Sequence, residues 1–511
     1  MPPNTRPFFK RITPPGISLL WLAVILAAIS FLVAIIPIRG NDFWWQLKLG
    51  ELIFNQRAIP TTNIFAWTLP PDHPFFYGAW LGELLLYLPH RLGGLELLIF
   101  VRNLLALAFF ALVAYEARQR SGSWRIAAFV VLLFYVMALN NLTLRTQIWA
   151  WLPFMLIALV LHRFTSGKCS PSGYRQWLLL CPLLMLVWVN VHGSYILGLV
   201  LVGSYLVGEA LRALFKQPGA LGPAHIAWLG IASALTAAAT LVNPRGIGIY
   251  TYFMGLMTDA PSQGLIAEWQ SPSPNGIANL AFFVSILLLI LVLAYSRYRP
   301  SLTDLLLILG FLWLAWSGQR YIVWFGAIAM PILAQGLAQI PNRLPVFTEQ
   351  RSWLNAVIIL LLFIPALLVQ PWFVSSLPLP QSYWQIAYPG SPEGPLVGLD
   401  TPIEAAAYLK THPGGRLFNE MGYGSYLIWA LPDQGVFIDP RVELYPYEQW
   451  QDYIHISQGI QYAELLERYG ADRVLLDVYL QAGLAEALAS DPGWHMEFST
   501  SRTQLWTRVE K

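Results

Sequence analysis

About eleven long apolar stretches divide the chain, near residues 17–38, 93–117, 124–140, 145–164, 177–191, 194–215, 225–242, 277–296, 301–317, 320–338 and 354–371. Each is long enough, or nearly so, to cross a bilayer as a helix. Two connectors are long. Residues 39–92 hold an amphipathic segment, Asp42–Asn55, and a second helical stretch, Trp80–Leu92; residues 243–276 run from Asn243-Pro244-Arg245-Gly246 to Ile266-Ala267-Glu268-Trp269. Beyond a Pro/Ser-rich stretch, 371–401, the pattern changes to short alternating runs. Strands are predicted at Gly415–Phe418, Gly435–Ile438, Arg473–Leu476, 494–498 and 503–507, and helices at 401–410, 422–430, 447–457, 461–469 and 479–490. The expected fold class is a polytopic α-helical membrane protein with a small C-terminal α/β domain. The expected units are a transmembrane part over 1–371, a linker over 372–400 and the α/β domain over 401–511.

Charge orients this arrangement. The N-terminus and every second connector together carry 15 Lys/Arg and 4 Asp/Glu, whereas the opposite connectors before residue 372 carry 8 and 7. The positive-inside bias puts the N-terminus in the cytoplasm and, with an odd span count, the tail outside. The expected location is the cytoplasmic (inner) membrane, with an extracytoplasmic C-terminal domain. The first apolar stretch is too long for a signal peptide and has no small-residue cleavage pattern after it, so it reads as a retained anchor. The tail has 8 Lys/Arg against 17 Asp/Glu, a net charge of −9, which argues against nucleic acid or anionic lipid as its partner. Neither Cys169 nor Cys181 lies outside, so no disulfide is expected there. With 56% hydrophobic and 12% charged residues, a soluble protein is excluded.

The polar residues that break this pattern are the candidates for chemistry. Asp42, in Asn41-Asp42-Phe43-Trp44-Trp45, follows the outer end of the first span. It reads either as a general base at the bilayer surface or as the cap of the helix that follows. Arg102 lies a third of the way into its span, where a guanidinium demands a partner from another helix. Asn190 and His192 occupy Trp188-Val-Asn190-Val-His192-Gly193, and Arg145 and Arg320 open later spans from the same face. A lipid-phosphate leaving group needs cations and an acceptor hydroxyl needs a base. Arg102, Arg145, His192 and Arg320 are therefore candidate phosphate ligands, and Asp42 the candidate base. Glu51, Glu83, Asn190, Asn243 and Glu268 are candidates for binding an acceptor or a metal. In the tail, Asn419, Asp439 and Arg441 follow strand ends, where α/β domains bind ligands; Asp439 and Arg441 equally suit an ion pair at a turn.

These features resemble the GT-C superfamily of membrane glycosyltransferases. They are an acid just after the first span, a long first external loop with interfacial helices, and polar residues on the outer face. The nearest comparison is the protein O-mannosyltransferase-like branch. The runs Asn41-Asp42-Phe-Trp-Trp…Gly50-Glu51…Ile59-Pro60, Trp188-Val-Asn190-Val-His192-Gly193 and Gly424-Ser-Tyr426-Leu-Ile-Trp429…Phe437-Ile-Asp439-Pro-Arg441 also resemble a bacterial group associated with that superfamily. The resemblance implies a polyprenyl-phosphate sugar donor, a reaction on the outer face and Asp42 as the base. The acceptor is left open as lipid-linked, glycan or protein. Many members carry two acids in this loop, whereas here Asn41 precedes a lone Asp42, which leaves the divalent metal open.

The expected function is transfer of a sugar to an extracytoplasmic acceptor, with inversion because the base acts directly. Two alternatives use the same residues: a transporter or flippase of a lipid-linked glycan, and a non-catalytic envelope assembly factor.

Overall fold

Apolar composition over a helix-length run, with backbone groups that only intrahelical bonds can satisfy in lipid, dictates the first element. In a computed structural model describing residues 13–167, 174–341, 349–374 and 396–509, helix α1 covers Ile17–Ala34. Then follow α2 (Phe43–Gln56), α3 (Trp80–Ser121), α4 (Trp124–Met137), α5 (Ile148–Thr165), α6 (Tyr174–Leu178), α7 (Leu180–Val191) and α8 (Tyr195–Leu214). Helices α9 (Pro223–Ala239), α10 (Gly248–Thr258), α11 (Ala260–Leu265), α12 (Ile277–Tyr295), α13 (Leu302–Ser317), α14 (Ile322–Leu337), α15 (Trp353–Leu368) and α16 (Pro371–Val374) complete this part. Among the described residues, seven helices are long and apolar enough to span a membrane, and four shorter apolar ones accompany them. Each expected span has its helix. Most of the expected linker, residues 375–395, lies outside the described residues.

Helix α3 is two helices joined at a break. Gly93 and Gly94 leave helical geometry, Gly94 with φ of +66°, which an L side chain rarely adopts. An unbroken 42-residue helix would be about 63 Å long, twice the hydrocarbon thickness. The 80–92 half therefore lies outside the spanning half, as an arm over the bundle end. At the centre of the bundle, α14 is buried along nearly its whole length. Small residues permit this: a Cβ on Gly326 would lie 2.4 Å from the Phe134 ring. Close approach through small residues is the usual basis of helix packing in lipid. Phe154, Trp188, Trp324 and Phe311 fill the interior, with Trp188 stacked on Trp324 at 5.9 Å. At one end of the bundle, Arg120 bonds Glu116 (2.7 Å) and Asp304 (3.0 Å), tying α3 to α13. The other end carries Asp42.

The C-terminal part forms a four-stranded sheet of order β1-β2-β4-β3. The strands are β1 (Leu417–Asn419), β2 (Arg473–Asp477), β3 (Trp494–Ser499) and β4 (Thr503–Arg508). β1 and β2 are parallel, and β4 is antiparallel to β2 and β3. Helices α17 (Ile403–Thr411), α18 (Met421–Ala430), α19 (Tyr447–Ser457), α20 (Tyr462–Tyr469) and α21 (Ala482–Ser490) surround the sheet. One expected strand is corrected. Gly435–Ile438 stays out of the sheet and bridges the first long loop instead, Val436 exchanging backbone bonds with Phe65 and Trp67 at 2.9 and 3.1 Å.

That exchange reflects a shared core. Trp45, Leu49, Ile53, Phe65, Ala66 and Tyr77 of the first loop are buried in one cluster with Leu417, Phe437, Val442 and Trp450. Trp44 packs edge-on against Tyr426 at 5.0 Å. The loop's exit is pinned too, since Ile38 donates to the Leu396 carbonyl (2.8 Å) and Gly398 donates to that of Ile38 (2.7 Å). The α/β domain and the loop together cover the Asp42 end of the bundle.

Candidate active site

A cavity of about 580 Å³ opens beneath that cover, lined by the first loop, the site ends of α5, α7, α8 and α14, the 243–276 connector and the α/β domain. Asp42 stands at its wall. It occupies the N-cap of α2, yet its side chain makes no capping bond. Instead it accepts a bond from the Trp45 indole (3.4 Å) and faces Arg145 at 3.8 Å. The capping alternative is thereby corrected: the carboxylate bonds a side chain and faces Arg145 rather than capping the backbone N–H groups of α2.

Arg145 is the hub. Its guanidinium, buried with 9% of the side chain exposed, lies 2.8 Å from Glu268 and 3.8 Å from Asp42. Its Nε and Nη2 have no in-line acceptor among the described residues. The two carboxylates keep 29% and 34% of their side-chain surface open, so both face the cavity. Their environments separate them. Burial raises the Asp42 carboxyl above its ordinary value, Arg145 offsetting only part of that, and the charge on Glu268 pushes the same way. Burial would raise Glu268 as well, but the Arg145 ion pair outweighs it and holds Glu268 below its ordinary value. Carboxyls pushed apart in this way suit different roles, one exchanging a proton and one staying charged.

His192 follows the last turn of α7. Its Nδ1 accepts the Ser194 backbone N–H at 3.0 Å, which leaves the neutral ring's proton on Nε2. Burial, then the charges of Arg320 and Arg145, hold the imidazole well below its usual range. His192 is thus a neutral donor. Arg320 lies over the Trp269 ring at 4.2 Å, leaving its hydrogens for a ligand. Asp42, Arg145, His192, Glu268 and Arg320 line one cavity, and Glu83 and Arg441 line it as well.

Neither a protein-family model nor a curated protein matches the sequence. Among solved structures, the chain is similar to ArnT from Cupriavidus metallidurans, at 16% identity and TM-score 0.52, covering 96% of this chain and 97% of that one. It is also similar to the oligosaccharyltransferase of Archaeoglobus fulgidus (14% identity, TM-score 0.50, 99% and 75% covered) and to the mycobacterial arabinofuranosyltransferase AftD (16%, 0.51, 97% and 42%). The chain has the GT-C fold. ArnT has been solved bound to undecaprenyl phosphate, and the Archaeoglobus enzyme, AglB, in complex with an inhibitory peptide and a dolichol-phosphate.

Within this GT-C framework, other candidates fall outside the cavity lining. Arg102 donates to the Val33 carbonyl at 2.7 Å, closing the last turn of α1. Glu51 pairs with Lys48 (2.7 Å). Asn190 accepts the Trp80 indole N–H (2.8 Å) and donates to the Leu186 and Val242 carbonyls, tying α3, α7 and the end of α9 together. Asn243 closes a turn, donating to the Thr240 carbonyl and accepting from the Arg245 N–H. Asn419 replaces a missing strand ladder: its amide accepts from Phe437 N–H and donates to the Ile438 carbonyl, both at 2.8 Å. Asp439 holds Arg441 in a fully buried bidentate pair (2.8 and 2.6 Å), the ion-pair reading of those residues.

Asp42 and Glu268 are the carboxylates a divalent cation would use, but the cation beside both is Arg145. No group of three or more His, Cys, Asp or Glu gathers among the described residues. The donor set does not fit a divalent metal, and no step is derived through one.

Several lining residues escaped the sequence reading. Gln46, one helical turn after Asp42, accepts the Thr146 N–H at 3.1 Å and donates to the Thr146 hydroxyl at 3.3 Å. This locks the Arg145 segment to α2. Its i, i+4 spacing from Asp42 was the available signal. Tyr77, Tyr252 and Glu443 also line the cavity, and nothing in their local sequence marks them.

Proposed function

We propose that the protein is a membrane glycosyltransferase that moves a sugar from a polyprenyl-phosphate donor to an acceptor on the extracytoplasmic side. The observation that carries this reading is one cavity containing a carboxylate with a raised pKa beside two guanidiniums and a neutral imidazole donor. The Asp42 carboxylate takes the proton of the acceptor hydroxyl as its oxygen attacks the anomeric carbon. The bond from that carbon to the phosphate oxygen breaks, and the leaving phosphate gains negative charge. Arg145, Arg320 and the Nε2–H of His192 stabilise that charge, and Glu268 holds Arg145 in place. Charge-assisted donors arranged before the reaction lower the barrier without reorganisation. A single displacement inverts the anomeric configuration.

The lipid phosphates bound to ArnT and AglB support this donor class. The transport alternative is disfavoured by the bundle interior, which Phe154, Trp188, Phe311 and Trp324 fill by packing against one another. The test is Asp42→Asn in membranes supplied with polyprenyl-phosphate sugars. Loss of a positioned base lowers transfer by about 10²–10⁴-fold; transfer at the wild-type rate would overturn the assignment.

A further inference from the structure

The cavity has a second polar wall that the proposed chemistry leaves unused. Glu83 lies in the 80–92 arm, outside the spanning half of α3. It is 1% exposed, and its Oε2 is buried with no hydrogen-bond partner among the described residues. A buried carboxyl oxygen without a partner is costly unless a ligand or water completes it. Glu443, from the α/β domain, lines the same cavity; it is the acceptor of the Tyr252 hydroxyl at 3.1 Å. Phe76 and Tyr252, which meet edge-on at 5.1 Å, line it as well. Arg441 also lines the cavity, its charge paired with Asp439 and one Nη1 hydrogen given to Tyr77 at 3.1 Å.

This wall presents carboxyl groups and aromatic faces; Arg245 lies over the Phe76 and Tyr252 rings at 4.5 and 5.5 Å, and the two carboxyls repel an anion. Burial raises the Glu83 carboxyl, and both carboxyls can accept from the hydroxyls of a neutral ligand. A carboxyl can donate and accept at once when protonated, as a sugar hydroxyl can. We propose that Glu83, Glu443 and Tyr252 form the acceptor subsite, and that it takes a neutral glycan. The first loop and the α/β domain each supply one carboxyl, so the subsite exists only where the two are docked. The inference rests on the glycosyltransferase reading for the word acceptor, but glycan binding at this wall stands or falls independently of catalysis.

The test is direct binding by the full-length protein in nanodiscs. Neutral hexose and pentose tetrasaccharides and an uncharged peptide of similar length serve as probes, followed by saturation-transfer NMR. At least one tetrasaccharide is expected to bind wild type, with affinity reduced about tenfold or more in Glu83→Gln and in Glu443→Gln. Glu51→Gln, at a residue paired with Lys48 outside the cavity lining, should bind it as wild type does. Glu443 is open to the cavity, so its variant keeps the test decisive if Glu83→Gln fails to fold. No saccharide binding, binding indifferent to Glu443→Gln, or preference for the peptide would overturn the proposal. If Asp42→Asn instead retained transfer while glycan binding still required Glu443, the catalytic reading would fail and the subsite would stand.

Discussion

Asp42 and Glu268 are near neighbours with opposite electrostatic fates, and pH profiles can separate them. The base must be ionised to act. With its carboxyl raised by burial, Asp42 loses activity as pH falls through a value above the ordinary Asp range of about 3.9. The kcat profile should show that acid limb, and the residual activity of Asp42→Asn should lack it. His192, held neutral, should add no limb near the usual imidazole value. Gln46 supplies a further check. In Gln46→Ala the buried Thr146 N–H loses its acceptor, at a cost of about 1–3 kcal/mol, and Arg145 is freed to move from Asp42. Since Arg145 lowers the Asp42 pKa, the acid limb should move to higher pH. A merely structural role for Gln46 would leave it in place.

At the scale of elements, the site depends on how closely three helices meet. A Cβ on Gly82 would lie 2.3 Å from the Val191 carbonyl and 3.0 Å from the Thr146 Cβ. Gly82 thus sits between the residue preceding His192 and the residue following Arg145. Gly82→Ala must force the α3 arm away from both, with strain of about 1–3 kcal/mol. Transfer should fall more than stability does, as read by kcat/KM beside thermal unfolding; an unchanged kcat/KM would show the contact to be dispensable. The arm was legible in sequence because Trp80–Leu92 is helical in pattern and ends at a Gly-Gly pair. The contact itself was not, because a glycine's value here lies in what approaches it from elsewhere.

At the scale of the molecule, the α/β domain and the first loop are held by the Arg441 ion pair, set between the Phe65 and Phe75 rings at 5.1 and 5.5 Å. Removing Asp439 leaves a buried guanidinium unpaired, a cost of about 3–5 kcal/mol. Asp439→Ala should therefore expose the loop to limited proteolysis and abolish transfer. Retained protease resistance would show that the shared apolar core suffices without the pair.

The helical bundle, its spans and the presence of a small α/β domain follow from sequence alone, because hydrophobic length and periodicity are local properties that lipid and backbone hydrogen bonding convert directly into structure. The same holds for Asp42, Arg145, His192, Glu268 and Arg320 as candidates, since polar residues at the ends of apolar helices stand out against their surroundings. Only the tertiary structure separated them from Arg102, Asn190, Asn243 and Asn419, whose side chains bond helix ends, turns and neighbouring segments instead of facing the cavity. It alone made Gly435–Ile438 pair with a loop some 370 residues away rather than with a sheet. Which of the two carboxyls is raised and which is lowered depends on burial and on one shared guanidinium, quantities that no segment of the chain carries by itself.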